Sequence, residues 1–81
     1  MYFAYIIKSV FGDHFYKGHC EDLQIRLNQH NAGMTKSILP YLPFELVYFE
    51  EFKTRQEAIN REKYFKTAAG RRFLKKKIMA S

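Results

Sequence analysis

Two tyrosines, an arginine, a histidine and a glutamate hold most of the chemistry this 81-residue chain can offer: Tyr5, Tyr16, Arg26, His30 and Glu62. Arg26 and His30 stand about one helical turn apart, shortly after the segment Phe15-Tyr16-Lys17-Gly18. An arginine can present a planar fork to a phosphate, or lay its stem along apolar neighbours and keep its head in water. A histidine at a core edge is more often structural than catalytic. Free tyrosine has a pKa of about 10, so roughly 0.1% is ionised at pH 7. Each tyrosine therefore either packs as an aromatic or acts as a base with a cation beside it to lower that pKa.

Glu62 is the most informative single position. On a wheel of about 100° per residue it falls beside Ala58 and Phe65, with Ile59 further round the same side. A carboxylate in the arc that meets the core is costly unless paired. Two readings are open. It meets a cation (a metal, an arginine or a lysine), or it sits partly exposed and pairs with Lys66 four positions on. Other chemistries find little support. His14, His19, Cys20 and His30 lack zinc-ligand spacing, and there is no P-loop, Gly-rich dinucleotide turn or nucleophile elbow. Cys20, just ahead of a helix start, could have a lowered pKa, but with no partner base in view it reads as a small buried residue.

The elements that must position these side chains follow from patterning. Tyr2 to Lys8 is a continuous aromatic and β-branched run, the mark of a central strand covered on both faces. Phe11-Gly12-Asp13 makes a turn, and His14 to His19 a second strand, so the two form a hairpin. Alternation puts His14, Tyr16 and Gly18 on one face. Asp22 is a helix N-cap. Leu23, Arg26, Leu27 and His30 then share one helical face, and Gly33 stops the helix. Met34 to Pro43 reads as a loop and Phe44 to Phe52 as a third strand. Thr54-Arg55-Gln56-Glu57 has the form of a capping box opening a helix that runs to about Lys66. Gly70 separates it from a final basic helix, Arg71 to about Met79, with Phe73, Leu74 and Ile78 facing inward. The order ββαβαα describes a small α+β domain, taken as one domain over residues 1–81.

Charge is unevenly placed. The net charge is +6. Residues 1–52 hold four basic and six acidic side chains, whereas residues 53–81 hold ten basic and two acidic, a net +8. A basic C-terminal third suits a polyanion, most simply nucleic acid; a solvated lysine-rich helix is the plain alternative. One cysteine excludes an internal disulfide and fits a reducing compartment. The apolar run Tyr2 to Ile7 is too short for a signal peptide or a membrane span. The expectation is a soluble cytoplasmic protein with no membrane partner.

Taken together, these positions resemble the GIY-YIG nuclease domain, from about Tyr2 to about Lys77. Phe3-Ala4-Tyr5 stands at the first motif and keeps its tyrosine; Tyr16-Lys17-Gly18 stands at the second and keeps the tyrosine and the glycine. Arg26 stands where the family has its helix arginine, His30 where it has a histidine or tyrosine one turn later, and Glu62 where it has its metal-binding glutamate. Asn31-Ala32-Gly33, Glu45-Leu46-Val47-Tyr48 and Thr54-Arg55-Gln56-Glu57-Ala58 resemble the small single-domain branch, similar to the incision subunit of nucleotide excision repair. The resemblance implies a three-stranded antiparallel sheet flanked by helices. It implies a DNA endonuclease of repair or recombination using one divalent ion, Mg²⁺ or Mn²⁺, on Glu62.

Under that resemblance Arg26 neutralises charge on the phosphate, Tyr5 or Tyr16 orients or deprotonates the attacking water, with Tyr5 preferred, and His30 assists. Gly18 leaves room for backbone or phosphate. Lys17, Gly18, His19, Lys36, Lys63 and Lys66 would contact DNA. His19 replaces a lysine often found just after the second motif. With no attached DNA-recognition domain, the chain alone would cut weakly, by DNA shape, or only within a complex, where a repair protein could supply specificity. Two other classes compete: a DNA-binding module of the same fold without turnover, and a basic protein-interaction domain. A carboxylate on a phosphate-facing surface favours the nuclease, because it repels DNA unless a metal intervenes.

Overall fold

The computed structural model describes residues 1–79. Strand β1, Tyr2–Ser9, is the centre of a three-stranded antiparallel sheet of order β2-β1-β3, with β2 at Phe15–Cys20 and β3 at Phe44–Phe52. The continuous apolar run of β1 is explained by this place. Ala4 and Ile6 are fully buried towards one face, and Tyr5 and Ile7 are buried towards the other. Register between β1 and β3 shifts between Ile6 and Ile7, a bulge that lets Ile6 pair with Tyr48 and Ile7 with Leu46.

Helix α1, Leu23–Asn31, covers the Tyr5–Ile7 face. Asp22 caps it by accepting a hydrogen bond from the Ile25 amide at 2.9 Å. Its end is a Schellman turn: the Gly33 amide donates to the His30 carbonyl, the Met34 amide donates to the Gln29 carbonyl, and Gly33 adopts φ +87°. Helix α2, Arg55–Phe65, and helix α3, Ala68–Met79, cover the opposite face, where Phe65 and Leu74 close over Ala4 and Ile6. The capping box at Thr54 and Glu57 is present. Arg61 reaches inward from α2, gives Glu50 a two-pronged hydrogen bond at 2.7 and 3.2 Å, and lies 4.7–5.0 Å from the ring centres of Tyr64, Phe65 and Phe73. The Tyr48 hydroxyl donates to the same carboxylate.

Three expectations are corrected. The stretch Met34 to Pro43 is not all loop: Lys36–Tyr41 forms a 3-10 helix, held by buried Ile38 packing with Tyr5, Ile7 and Phe44. Gly70 lies inside α3 rather than ahead of it. A Cβ there would stand 2.6 Å from the Tyr64 carbonyl carbon and 2.8 Å from Phe65 Cα, so the glycine permits α3 to start against the end of α2. Thr67 opens α3, its hydroxyl accepting from the Gly70 amide at 3.0 Å. Strand β2 begins and ends one residue later than His14 to His19. Among the described residues no helix is long and apolar enough to cross a membrane.

Candidate active site

The face of the sheet under α1 collects four of the five predicted side chains. Tyr5 projects from the central strand and Tyr16 from the edge strand, their ring centres 6.5 Å apart. From α1, His30 fills the space above them, with its ring centre 5.9 Å from that of Tyr5 and 4.9 Å from that of Tyr16. It is fully buried, and the four-residue spacing from Arg26 puts both side chains on this side of the helix. The Tyr5 hydroxyl lies 2.7 Å from His30 Nε2, and His30 Nδ1 lies 2.6 Å from Thr35 Oγ1. Arg26 donates to Gln29 Oε1 at 3.0 Å and is close enough to Tyr5 and His30 for its charge to act on both.

Electrostatics fix the protonation of this group. Burial lowers the pKa of His30 to about 4, and the Arg26 cation adds to the effect, so the imidazole is neutral at neutral pH. Burial likewise raises the Tyr5 hydroxyl to about 12, with Arg26 recovering part of the rise. A neutral imidazole has one donor and one acceptor nitrogen. With a guanidinium beside the Tyr5 oxygen, we assign the Tyr5 O–H to His30 Nε2 and the Nδ1–H to Thr35. Tyr5, the tyrosine preferred as base from the sequence, is the less accessible of the two: its solvent exposure is 2%, its hydroxyl meets His30, and burial raises its pKa. Tyr16, half-buried at the sheet edge, is the tyrosine that water can approach.

Gly18 is also re-read. It pairs with Tyr5 across the hairpin, and a Cβ on it would meet the Tyr5 hydroxyl and stand 2.6 Å from Cζ. The room it leaves is taken by the Tyr5 ring, not by phosphate.

Glu62 approaches the same edge strand from the other side. His19 follows Gly18 and therefore points to the Ala4 face, where α2 packs. There His19 Nδ1 donates to Glu62 Oε1 at 2.8 Å, and Lys66 Nζ donates to Oε2 at 2.8 Å. Both sequence readings of Glu62 are thus partly realised: its side chain is 18% exposed, it sits between buried Ala58 and Phe65, and it pairs with Lys66. Burial pushes its pKa up, but the hydrogen bonds from Lys66 and His19 outweigh that and leave the carboxyl below its usual range. The structure joins Tyr5, Tyr16 and His30 by direct contacts, with the Arg26 charge acting on Tyr5 and His30, whereas the direct partners of Glu62 are His19 and Lys66.

The remaining predicted residues are spread more widely. Lys17 lines a groove of about 500 Å³ between β1, β2 and α3, together with Lys8, Arg71, Lys75 and an apolar floor that includes Ile6 and Leu74. Burial, then Arg71 and Lys66, lower the Lys17 pKa, a sign of crowded cations. Lys36 lies exposed on the 3-10 helix and Lys63 exposed on α2. Cys20 is half-buried, and burial raises its thiol to about 11, as for a packing residue rather than an activated one. Thr35 and Gln29 escape sequence reasoning. Thr35 depends on where the chain turns after α1, signalled by Gly33, whereas Gln29 follows Arg26 by three positions on α1 and its helical spacing could have found it.

A three-stranded antiparallel sheet whose first two strands each present a tyrosine to a helix-borne arginine and histidine is the build of a GIY-YIG domain. The profile of the GIY-YIG catalytic domain matches residues 1–77, and the chain belongs to that family, a nuclease superfamily. A UPF0213 protein of Bacillus pumilus is 40% identical over 67 residues, 82% of this chain and 67% of the relative. One of Staphylococcus aureus is 37% identical over 67 residues, 82% of this chain and 80% of the relative. The solution NMR structure of the UPF0213 protein BH0048 from Bacillus halodurans superposes with a TM-score of 0.52 at 27% identity, covering 91% of this chain and 82% of that one.

Proposed function

We propose that this protein is a metal-dependent endonuclease that hydrolyses DNA phosphodiester bonds, working in repair or recombination beside a protein that supplies specificity. The observation that carries the reading is the contact group of Tyr5, Tyr16, Arg26 and His30 under α1, with Glu62 on the same edge strand's other side. Arg26 is half-buried and fixed by Gln29, so its fork can meet the non-bridging oxygens of a phosphate and stabilise the charge that grows on them. Tyr16 orients the water for in-line attack. His30, neutral and held by Thr35 and Tyr5, keeps the Tyr16 ring in place by edge contact and passes hydrogen-bond polarisation along the Thr35–His30–Tyr5 chain. Lys66, on an exposed stem, can leave Glu62 for a phosphate.

The donor set suits a hard divalent ion. Among the described residues no three His, Cys, Asp or Glu side chains are grouped as a metal cage. An Mg²⁺ or Mn²⁺ ion would therefore be held at Glu62 mainly by water and phosphate oxygens, the usual habit of Mg²⁺ at phosphoryl sites. Such an ion supplies Lewis-acid stabilisation of the phosphate and the leaving oxygen. One observation favours a second reading, a DNA-binding module without turnover: both Glu62 oxygens are already hydrogen-bonded, to His19 and to Lys66.

A cleavage assay separates the two. The protein is incubated with duplex, flap, branched and single-stranded DNA in Mg²⁺, Mn²⁺ or chelator, beside Glu62→Ala and Arg26→Ala. The expected result is metal-dependent cutting that both substitutions abolish. Salt-sensitive binding with no cutting, unchanged by Glu62→Ala, would establish the binding module instead.

A further inference from the structure

We propose that His19 is a metal ligand, forming with Glu62 a nitrogen–carboxylate chelate that prefers Mn²⁺ to Mg²⁺. The proposal rests on the reading of Glu62 as the metal carboxylate and goes beyond it in naming a second protein donor and the metal that donor selects.

Geometry is the first support. His19 Nδ1 and Glu62 Oε1 are 2.8 Å apart. Neighbouring donors in an octahedral shell, each about 2 Å from the ion, are about 2.9 Å apart. Lys66 occupies the other oxygen, Oε2, so the Nδ1–Oε1 edge is not the one it takes. The two donors are also carried on firm supports. His19 is fixed in register opposite Ala4 in the hairpin, and Glu62 is held by buried Ala58 and Phe65 on either side of it in α2. Side-chain exposures of 34% for His19 and 18% for Glu62 leave the pair open to a hydrated ion.

Donor chemistry supplies the preference. A carboxylate oxygen serves Mg²⁺ and Mn²⁺ alike. An imidazole nitrogen suits transition ions, while Mg²⁺ keeps oxygen and water ligands. In the structure the carboxylate can only accept, so Nδ1 carries the proton that bridges the pair; a metal at Nδ1 would take that proton's place, and the imidazole bound through Nδ1 would carry its proton on Nε2. Four positions remain for water and phosphate oxygens. A different role for His19, as a hydrogen-bond partner that merely holds Glu62, predicts the opposite sign, because removing such a partner frees the carboxylate for metal.

The test is Mn²⁺ binding to the full chain followed by electron paramagnetic resonance, for the unmodified protein, His19→Ala, His19→Gln and Glu62→Gln. Each variant is checked for folding by circular dichroism. Expected are one bound Mn²⁺ whose spin-echo modulation shows coupling to a ¹⁴N nucleus, and loss of that coupling in both His19 variants. Their Mn²⁺ dissociation constant should rise about tenfold, with Mg²⁺ competition altered by less than about twofold. Binding in His19→Ala that equals or exceeds that of the unmodified protein, or a bound Mn²⁺ without ¹⁴N coupling, overturns the chelate and leaves Glu62 as a lone carboxylate ligand. Mn²⁺ binding that survives Glu62→Gln, or no binding in the unmodified protein, overturns the reading of Glu62 itself, and the chelate with it.

Discussion

His30 is the residue on which both site and stability turn. Folded, its pKa is held at about 4, against 6.5 in the ordinary imidazole. Between these values the unfolded chain binds a proton that the folded chain refuses, so stability falls as pH drops from about 6.5 towards 4. Above about 6.5 neither state is protonated and the effect vanishes. The loss by pH 4.5 amounts to roughly 2–3 kcal/mol, and the depressed carboxyls of Glu50 and Glu62 lose their own contribution progressively as pH falls through the usual carboxylate range and below it. Urea midpoints should therefore fall between about pH 7 and pH 4.5, and His30→Gln should flatten most of that fall; a midpoint independent of pH in the unmodified protein would mean that the imidazole is not held neutral. Gly18 guards the same site by a different route. Gly18→Ala drives a methyl into the Tyr5 ring, which the pairing of β2 with β1 holds opposite it. Overpacking of this kind costs about 1–3 kcal/mol, and the ¹³C shifts of Tyr5 and His30 should move with it. Wild-type stability in Gly18→Ala would show that the ring can shift freely. Residue type and spacing single out the side chains that meet under α1, Tyr5, Tyr16 and His30. What sequence does not carry is which hydroxyl is buried, since that depends on packing between β1 and α1, and it is burial that makes Tyr16 the more accessible of the two.

Elements whose signals are local are legible in the sequence, and those whose signals are tertiary are not. The N-cap at Asp22, the capping box at Thr54 and Glu57, and the glycine stop at Gly33 are each satisfied by atoms within a few residues, so the pattern alone locates the helix ends. β1 is legible for another reason, because a strand buried on both faces must be apolar throughout. The 3-10 helix at Lys36–Tyr41 has no such signal, since it contains Pro40 and depends on Ile38 reaching the core. Gly70 is misread for the same reason: a helix-breaking residue by propensity is here the residue that lets α3 abut α2. The two effects can be weighed. Glycine in a helix interior is worth about 1 kcal/mol less than alanine, whereas a methyl 2.6 Å from the Tyr64 carbonyl carbon and 2.8 Å from Phe65 Cα must displace backbone. We expect Gly70→Ala to destabilise the chain by about 2 kcal/mol or more, with amide exchange accelerating across α3 rather than in α1. A stabilised Gly70→Ala would mean that helix propensity outweighs the junction.

At the scale of the whole molecule, charge and size bound how it can meet DNA. The described chain measures 29 × 26 × 21 Å, less than one turn of duplex at about 34 Å, so a single copy can neutralise only a few phosphates. Its cations are not equally available. Arg61 is committed to Glu50, whereas Arg72, Lys75 and Lys76 of α3 are exposed, and Lys75 lines the groove with Lys8, Lys17 and Arg71. If α3 and the groove form the DNA face, affinity should fall steeply with salt, and each phosphate contact removed should reduce the slope of log K against log salt by about 0.9. Arg72→Gln, Lys75→Gln and Lys76→Gln together should lower the slope by up to about 3 on duplex DNA, measured by fluorescence anisotropy between about 50 and 200 mM salt. Stability should barely change, because surface substitutions of this kind usually stay within about 0.5 kcal/mol. A slope that the triple substitution leaves intact would confine the phosphate contacts to the side where Arg26 meets the scissile phosphate and Lys36 is the other cation, and would make α3 a surface for some other acidic partner.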